Sequence, residues 1–295
     1  MGHGPVNDFP LADRIVLITG GGSGIGLAFA QLCCESGARA VIADLKLTDE
    51  GQKFVDSAKS EQVLFQKCDV SSWADLQNAI SASVNTFGEV PDVYAPVAGI
   101  FEPPWSNFWD DTEDNSYKTI DINVNHPIKL TRLAMRALAG AQKRGVVCLV
   151  ASTAGIRGNY LASLYSASKH AIVGFAKSMG QADPDEGVRV VCICPGLVDS
   201  PLWRSREDDM MDRAKFYERQ AILPVDIAKV MIKMVESKEY SGGTCVLKTP
   251  LEERVVEEGW QTSDKGYDPS PRPEADNHRI RTAMDKERGV SWTSQ

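Results

Sequence analysis

The sequence predicts an α/β fold, a doubly wound parallel sheet followed by a charged C-terminal extension. Three observations predict it. Short apolar runs rich in β-branched residues recur, stretches of helix length separate them, and a glycine-rich turn joins the first run to the first helix. With 295 residues, 43% of them hydrophobic and 24% charged, the chain can bury a full core and matches ordinary globular composition. A formal net charge of -8 disfavours nucleic acid and anionic lipid as partners, because both carry negative charge.

The elements follow in order. Residues 14–18 form the first strand, ending in the turn Thr19-Gly20-Gly21-Gly22-Ser23-Gly24-Ile25-Gly26, after which Leu27 to Cys34 read as helix. Gly37 punctuates that helix, and residues 38–43 give a second strand closed by Asp44. Val63 to Phe65 lead to Cys68-Asp69-Val70. Trp73, Leu76, Ile80, Val84 and Phe87 then recur at steps of three and four, one face of an amphipathic helix. Further apolar strands are expected at 92–97, 145–150, 188–194 and 244–247. Residues 1–250 therefore read as one domain. From Leu251 the texture becomes charged and proline-punctuated, so 251–295 is expected to be an extended tail or a segment docked on a partner subunit.

The seven cysteines are odd in number and lie mostly inside apolar runs, which suits reduced thiols filling an intracellular core. Cys192-Ile-Cys194 has the spacing of a strand rather than of a zinc pair, so no metal is expected. No apolar run approaches the roughly 18 residues of a membrane span, and the start lacks the apolar core of a signal peptide. The expected location is the cytoplasm.

Glycines 20, 24 and 26 stand where a strand turns into a helix. Lack of a Cβ there allows a tight turn and close approach of a pyrophosphate to the helix N-terminus. A carboxylate at the end of the second strand, Asp44, suits the two ribose hydroxyls of an adenosine and repels a 2'-phosphate. NAD is thus expected over NADP, although Lys46 is close enough to clamp a phosphate. Tyr165-Ser-Ala-Ser-Lys169 puts a lysine one helical turn beyond a tyrosine, on the same face. Bringing a phenol from about pKa 10 to about 7 needs roughly 4 kcal/mol, and a nearby cation supplies part of it. Ser152 is a hydroxyl at a strand end, able to hold a substrate oxygen.

This ordered set resembles the classical short-chain dehydrogenase/reductase family over residues 12–248, with a strand end at Gly243 to Lys248 that looks like hydroxyprostaglandin dehydrogenase and its fungal relatives. The resemblance implies a Rossmann fold, a homodimer or homotetramer, and catalysis by Asn123, Ser152, Tyr165 and Lys169. It also implies cofactor contacts from Gly20, Ser23, Gly24, Ile25, Gly26, Asp44, Asp69, Val70, Ala98, Gly99, Tyr165, Lys169, Pro195, Gly196, Val198 and Ser200. Two departures bear on that set. Pro96-Val97 replaces the family's asparagine pair, which forces Pro96 to a strand end or bulge. His126 follows directly on the asparagine segment and is expected to be packed or subunit-facing, or else recruited by substrate.

Residues 200–223 are expected to form a lid, with Leu202, Trp203, Met210, Met211, Phe216 and Tyr217 gripping a bulky apolar molecule. Pro103, Pro104, Trp105, Phe108 and Trp109 are expected on the opposite wall. The functional expectation is an NAD-dependent oxidoreductase for a secondary alcohol or ketone of steroid, terpenoid, prostanoid or polyketide type. A non-redox cyclase or isomerase and a cofactor-binding regulator remain open alternatives.

Overall fold

Five consecutive buried residues, Ile15–Thr19, form β1 at the centre of the sheet. The computed structural model describes residues 4–59, 61–204, 221–256 and 274–293. After β1 come α1 (Gly24–Glu35), β2 (Arg39–Asp44), α2 (Asp49–Ser57), β3 (Val63–Lys67), α3 (Trp73–Phe87) and β4 (Val93–Pro96). Then follow α4 (Lys118–Ile120), a π-helical turn at Asp121–Asn125, α5 (His126–Gly140), β5 (Gly145–Val150), α6 (Ser163–Ser178), α7 (Ala182–Glu186) and β6 (Val188–Pro195). The described chain closes with α8 (Pro201–Arg204), α9 (Pro224–Glu236), β7 (Cys245–Lys248), β8 (Glu253–Val255) and α10 (Glu274–Asp285).

The strand order is β3-β2-β1-β4-β5-β6-β7-β8, with every neighbouring pair parallel except the antiparallel β7–β8. This is the doubly wound fold. The order reverses between β1 and β4, so the connections leaving those two strands go to opposite faces and open a crevice at their C-terminal ends. Both faces of the sheet are covered. Leu76 and Ile80 of α3, Leu130 and Leu133 of α5 and Ile172 of α6 pack on one side with Tyr94. Phe29 of α1 and Ile227, Met231 and Met234 of α9 pack on the other. All seven cysteines are free thiols, and all but Cys34 are buried.

Local chemistry fixes the crevice walls. Thr48 caps α2 by accepting from the Gly51 N–H at 3.2 Å while its own hydroxyl donates to the Gly22 carbonyl, tying that helix to the glycine turn. Pro96 is the last residue of β4, in register with Thr19. Its missing N–H costs no ladder bond, because the next two amides, Val97 and Ala98, both donate to the Thr19 carbonyl at 3.1 and 3.0 Å.

The end of the chain departs from the sequence reading in two ways. The sheet continues past residue 250 into β8, and residues 284–293 pack on their own chain rather than lying extended. Met284 is buried, Glu287 pairs with Arg132, and the Trp292 indole N–H donates to Ser81 with the Arg136 guanidinium over its ring. These contacts lie at the end of α5 away from the crevice, where the Gly289 N–H meets the Ala139 carbonyl. The N-terminal segment docks nearby. The Val6 N–H donates to Asp183 of α7 at 2.6 Å, and the fully buried Arg189 guanidinium donates to the Val6, Asn7 and Val235 carbonyls. Arg288 meets Glu186 of the same α7 at 2.5 Å.

Candidate active site

The glycine turn is a set of close approaches. Gly20 has φ +67°, and a Cβ there would stand 2.6 Å from the Ala98 nitrogen; one on Gly26 would collide with the Gly20 carbonyl oxygen. Ser23 caps α1 through an extended backbone, but its hydroxyl makes no capping bond, so the first N–H groups of α1 point into the crevice. Asp44 closes the adjoining wall. One of its carboxylate oxygens accepts from the Gly22 N–H at 2.9 Å and the other faces the Lys46 N–H at 3.4 Å.

The crevice is a half-open cavity of about 290 Å³. It brings together Gly20, Ser23, Gly24, Ile25, Gly26, Asp44, Asp69, Val70, Ala98, Gly99, Ser152, Tyr165, Lys169, Pro195, Gly196, Val198 and Ser200. Asn123 stands behind its wall. The Asn123 amide accepts from the Ile100 N–H at 2.9 Å and donates to the Ile100 carbonyl at 2.8 Å and to Ser168 at 3.2 Å. A Cβ on Gly99 would lie 3.2 Å from Asn123 Oδ1 and 3.7 Å from Lys169 Nζ, so both side chains converge on that glycine. Lys46 lines a neighbouring cleft with Thr48 and Asp199.

Tyr165 and Lys169 sit one turn apart on α6, with the Lys169 Nζ 5.5 Å from the Tyr165 ring centroid. Close packing sets this helix against the turn after β5, because a Cβ on Gly155 would stand 2.7 Å from the Lys169 carbonyl oxygen. Lys169 donates to the Val150 carbonyl at 3.1 Å, and burial pulls its pKa down to about 8. The phenol moves the opposite way from the sequence expectation: burial pushes Tyr165 up to about 12, while a hydrogen bond with Ser152 works in the other direction. In the protein alone, then, the phenol holds its proton firmly. His126 is packed, with no exposure; its ring bridges Thr19 Oγ1 at 2.9 Å and the Ile122 carbonyl at 3.0 Å, and burial lowers its pKa to about 4.

The expected opposite wall is corrected. Trp105, Phe108 and Trp109 are about half exposed and lie outside the cavity, Trp109 meeting Tyr160 edge-on with ring centroids 4.9 Å apart instead. The aromatic contact at the tyrosine comes from Phe101, whose ring centroid lies 4.6 Å from Tyr165 and 4.4 Å from Trp203. Leu202 and Trp203 do line the cavity, and a β-bridge pairs Val198 with Ile222. Met210, Met211, Phe216 and Tyr217 lie outside the described residues. Sequence reading missed Leu45, Cys68, Val97, Ile100, Ile122, Val150, Ala151 and Pro201 in the lining. The first two adjoin residues already singled out, and Ile100 follows Gly99 directly.

The family pattern described as short chain dehydrogenase matches residues 14–211. The chain belongs to the short-chain dehydrogenase family. Among its relatives, momilactone A synthase of Oryza sativa subsp. japonica is 31% identical over 196 residues, covering 66% of this chain and 70% of that protein. Ipsdienol dehydrogenase of Ips pini is 29% identical over 254 residues, 82% of this chain and 98% of the relative. Among solved structures, the short-chain dehydrogenase fold is matched by a 3-ketoacyl-(acyl-carrier-protein) reductase from Brucella melitensis complexed with NADH. Its TM-score is 0.68 at 25% identity, over 81% of this chain and 98% of that one. No helix among the described residues is long and apolar enough to cross a membrane.

Proposed function

We propose that this short-chain dehydrogenase is an NAD-dependent oxidoreductase for a secondary alcohol or ketone on a bulky apolar molecule. One observation carries the reading: Ser152, Tyr165 and Lys169 meet in one cavity with the glycine turn and Asp44. The residues present fit a dinucleotide. The bare glycine turn would hold a pyrophosphate at the N-terminus of α1, Asp44 on the same cavity wall would accept from ribose hydroxyls, and Lys46 lines the next cleft. A nicotinamide ring supplies, when bound, the acceptor or donor of a hydride.

The chain's own residues do the rest. The Ser152 hydroxyl and the Tyr165 phenol hold the substrate oxygen, and proton exchange takes place at the phenol oxygen. Lys169 places a cation beside the tyrosine, which favours the phenolate at the moment of transfer. Asn123, tied on both sides to Ile100, fixes the wall beside Lys169. Phe101 and Trp203 give an apolar surface against which the body of a substrate packs. The protein is read as a homodimer or homotetramer, which light scattering tests directly, and as cytoplasmic, which cell fractionation tests.

The test is binding of NAD and NADP in parallel, followed by turnover with a panel of apolar secondary alcohols that begins with ipsdienol, taken from the named relative. Tighter NAD binding that Asp44→Ala abolishes, with turnover lost in Tyr165→Phe, is the expected result. Product of unchanged mass would favour an isomerase or cyclase instead, and binding without turnover across the panel would favour a regulator.

A further inference from the structure

The segment after β4 holds a carboxylate that the functional reading does not use. Glu102 is 6% exposed and sits at φ +30°, a backbone region that long side chains rarely occupy. One of its carboxylate oxygens accepts from the backbone N–H of Tyr165 at 2.5 Å, and the other faces the Phe108 N–H at 3.4 Å. Tyr165 is the third residue of α6, so its N–H has no acceptor within the helix, and the cap residue Ala162 offers no side chain for it. Glu102 supplies the missing acceptor from a different part of the chain.

The same three-residue stretch touches the other groups of the site. Ile100 exchanges two hydrogen bonds with Asn123, and Phe101 lies between the Tyr165 and Trp203 rings. We propose that Glu102 is a positioning residue for Tyr165: its carboxylate fixes the first turn of α6, and so the angle at which the phenol meets Ser152. The backbone strain at Glu102 supports this, since a strained non-glycine residue persists only where its surroundings hold it. Tyr165 is faced by Lys169 on its own helix, by Ser152 from the turn after β5, by Phe101 and Trp203, and by Glu102 at its backbone. If the turn relaxes, the Ser152 bond loosens and the phenolate loses a donor.

This inference rests on Tyr165 being the acid/base of the proposed reaction, and the experiment separates the two. Tyrosine labelled with carbon-13 at Cζ reports the ionisation of Tyr165 in the full chain saturated with NAD, with Tyr165→Phe assigning the signal. Glu102→Asn is the decisive variant, because asparagine tolerates left-handed backbone but falls short of the Tyr165 amide. Glu102→Gln keeps an acceptor at the same reach. The expected result is a Tyr165 midpoint about one pH unit higher in the Asn variant, a tenfold smaller ionisation constant, with the Gln variant close to wild type and NAD affinity unchanged in both. Equal midpoints in wild type and the Asn variant would overturn the role of Glu102, as would a Gln variant that rises as far as Asn. A wild-type midpoint that NAD leaves at or above the ordinary value of about 10 would instead remove the acid/base reading on which the inference stands.

Discussion

Lys169 is expensive to keep. Its amine is buried and titrates near 8 instead of 10.5, so the folded state resists the charge that the unfolded chain accepts freely. Stability is therefore lost as pH falls from about 10.5 to about 8 and stays lost below, about 3 kcal/mol at neutral pH. Lys169→Met is expected to raise the melting temperature by several degrees while abolishing turnover, as thermal denaturation and the alcohol assay would show; a lower melting temperature would contradict this. His126 has the same sign in a lower window. With its folded pKa near 4 against 6.5, the protein loses up to about 3 kcal/mol as pH falls between those values. Melting temperatures measured across that range should fall less steeply for His126→Gln than for wild type. Ser152, Tyr165, Lys169 and Asp44 can be singled out in the sequence from their motifs, and they line one cavity. Phe101 and Glu102 cannot be, since their roles depend on a positive φ and on a hydrogen bond across 63 residues of chain.

At the scale of elements, glycines divide into two kinds that the sequence alone does not distinguish. Gly26 is closed in by the Gly20 carbonyl, so Gly26→Ala should cost more than about 3 kcal/mol or prevent folding. Gly174, on an exposed face of α6, has open space where a methyl would stand, with nothing within 4 Å, and Gly174→Ala should stabilise by about 0.5–1 kcal/mol. Urea denaturation of the two variants, side by side, reads both signs. The strands up to β7 were legible from their apolar runs, α1 from the glycines at either end of it and α3 from its period. β8 was hidden because it is three exposed residues, Glu253–Val255, too short and too charged to show apolar alternation.

Over the whole molecule, the cavity and the docked C-terminal segment occupy opposite ends of the sheet. The cavity opens where the strands end, whereas residues 284–293 cross the far end of α5. Deleting residues 274–295 should lower the melting temperature, because Met284 and the Arg132–Glu287 pair are lost, yet leave the NAD dissociation constant within about twofold. Calorimetry and a fluorescence titration check the two halves of that expectation. The single sheet was readable from composition and spacing; the docking of the tail was not, since Met284 and Trp292 find their partners only through the tertiary fold. The short helix α7 ends up holding both chain ends, Val6 through Asp183 and Arg288 through Glu186. A pull on the N-terminal segment would thus load α7 through Asp183 and β6 through Arg189 together, while the crevice at the other end of the sheet stayed slack.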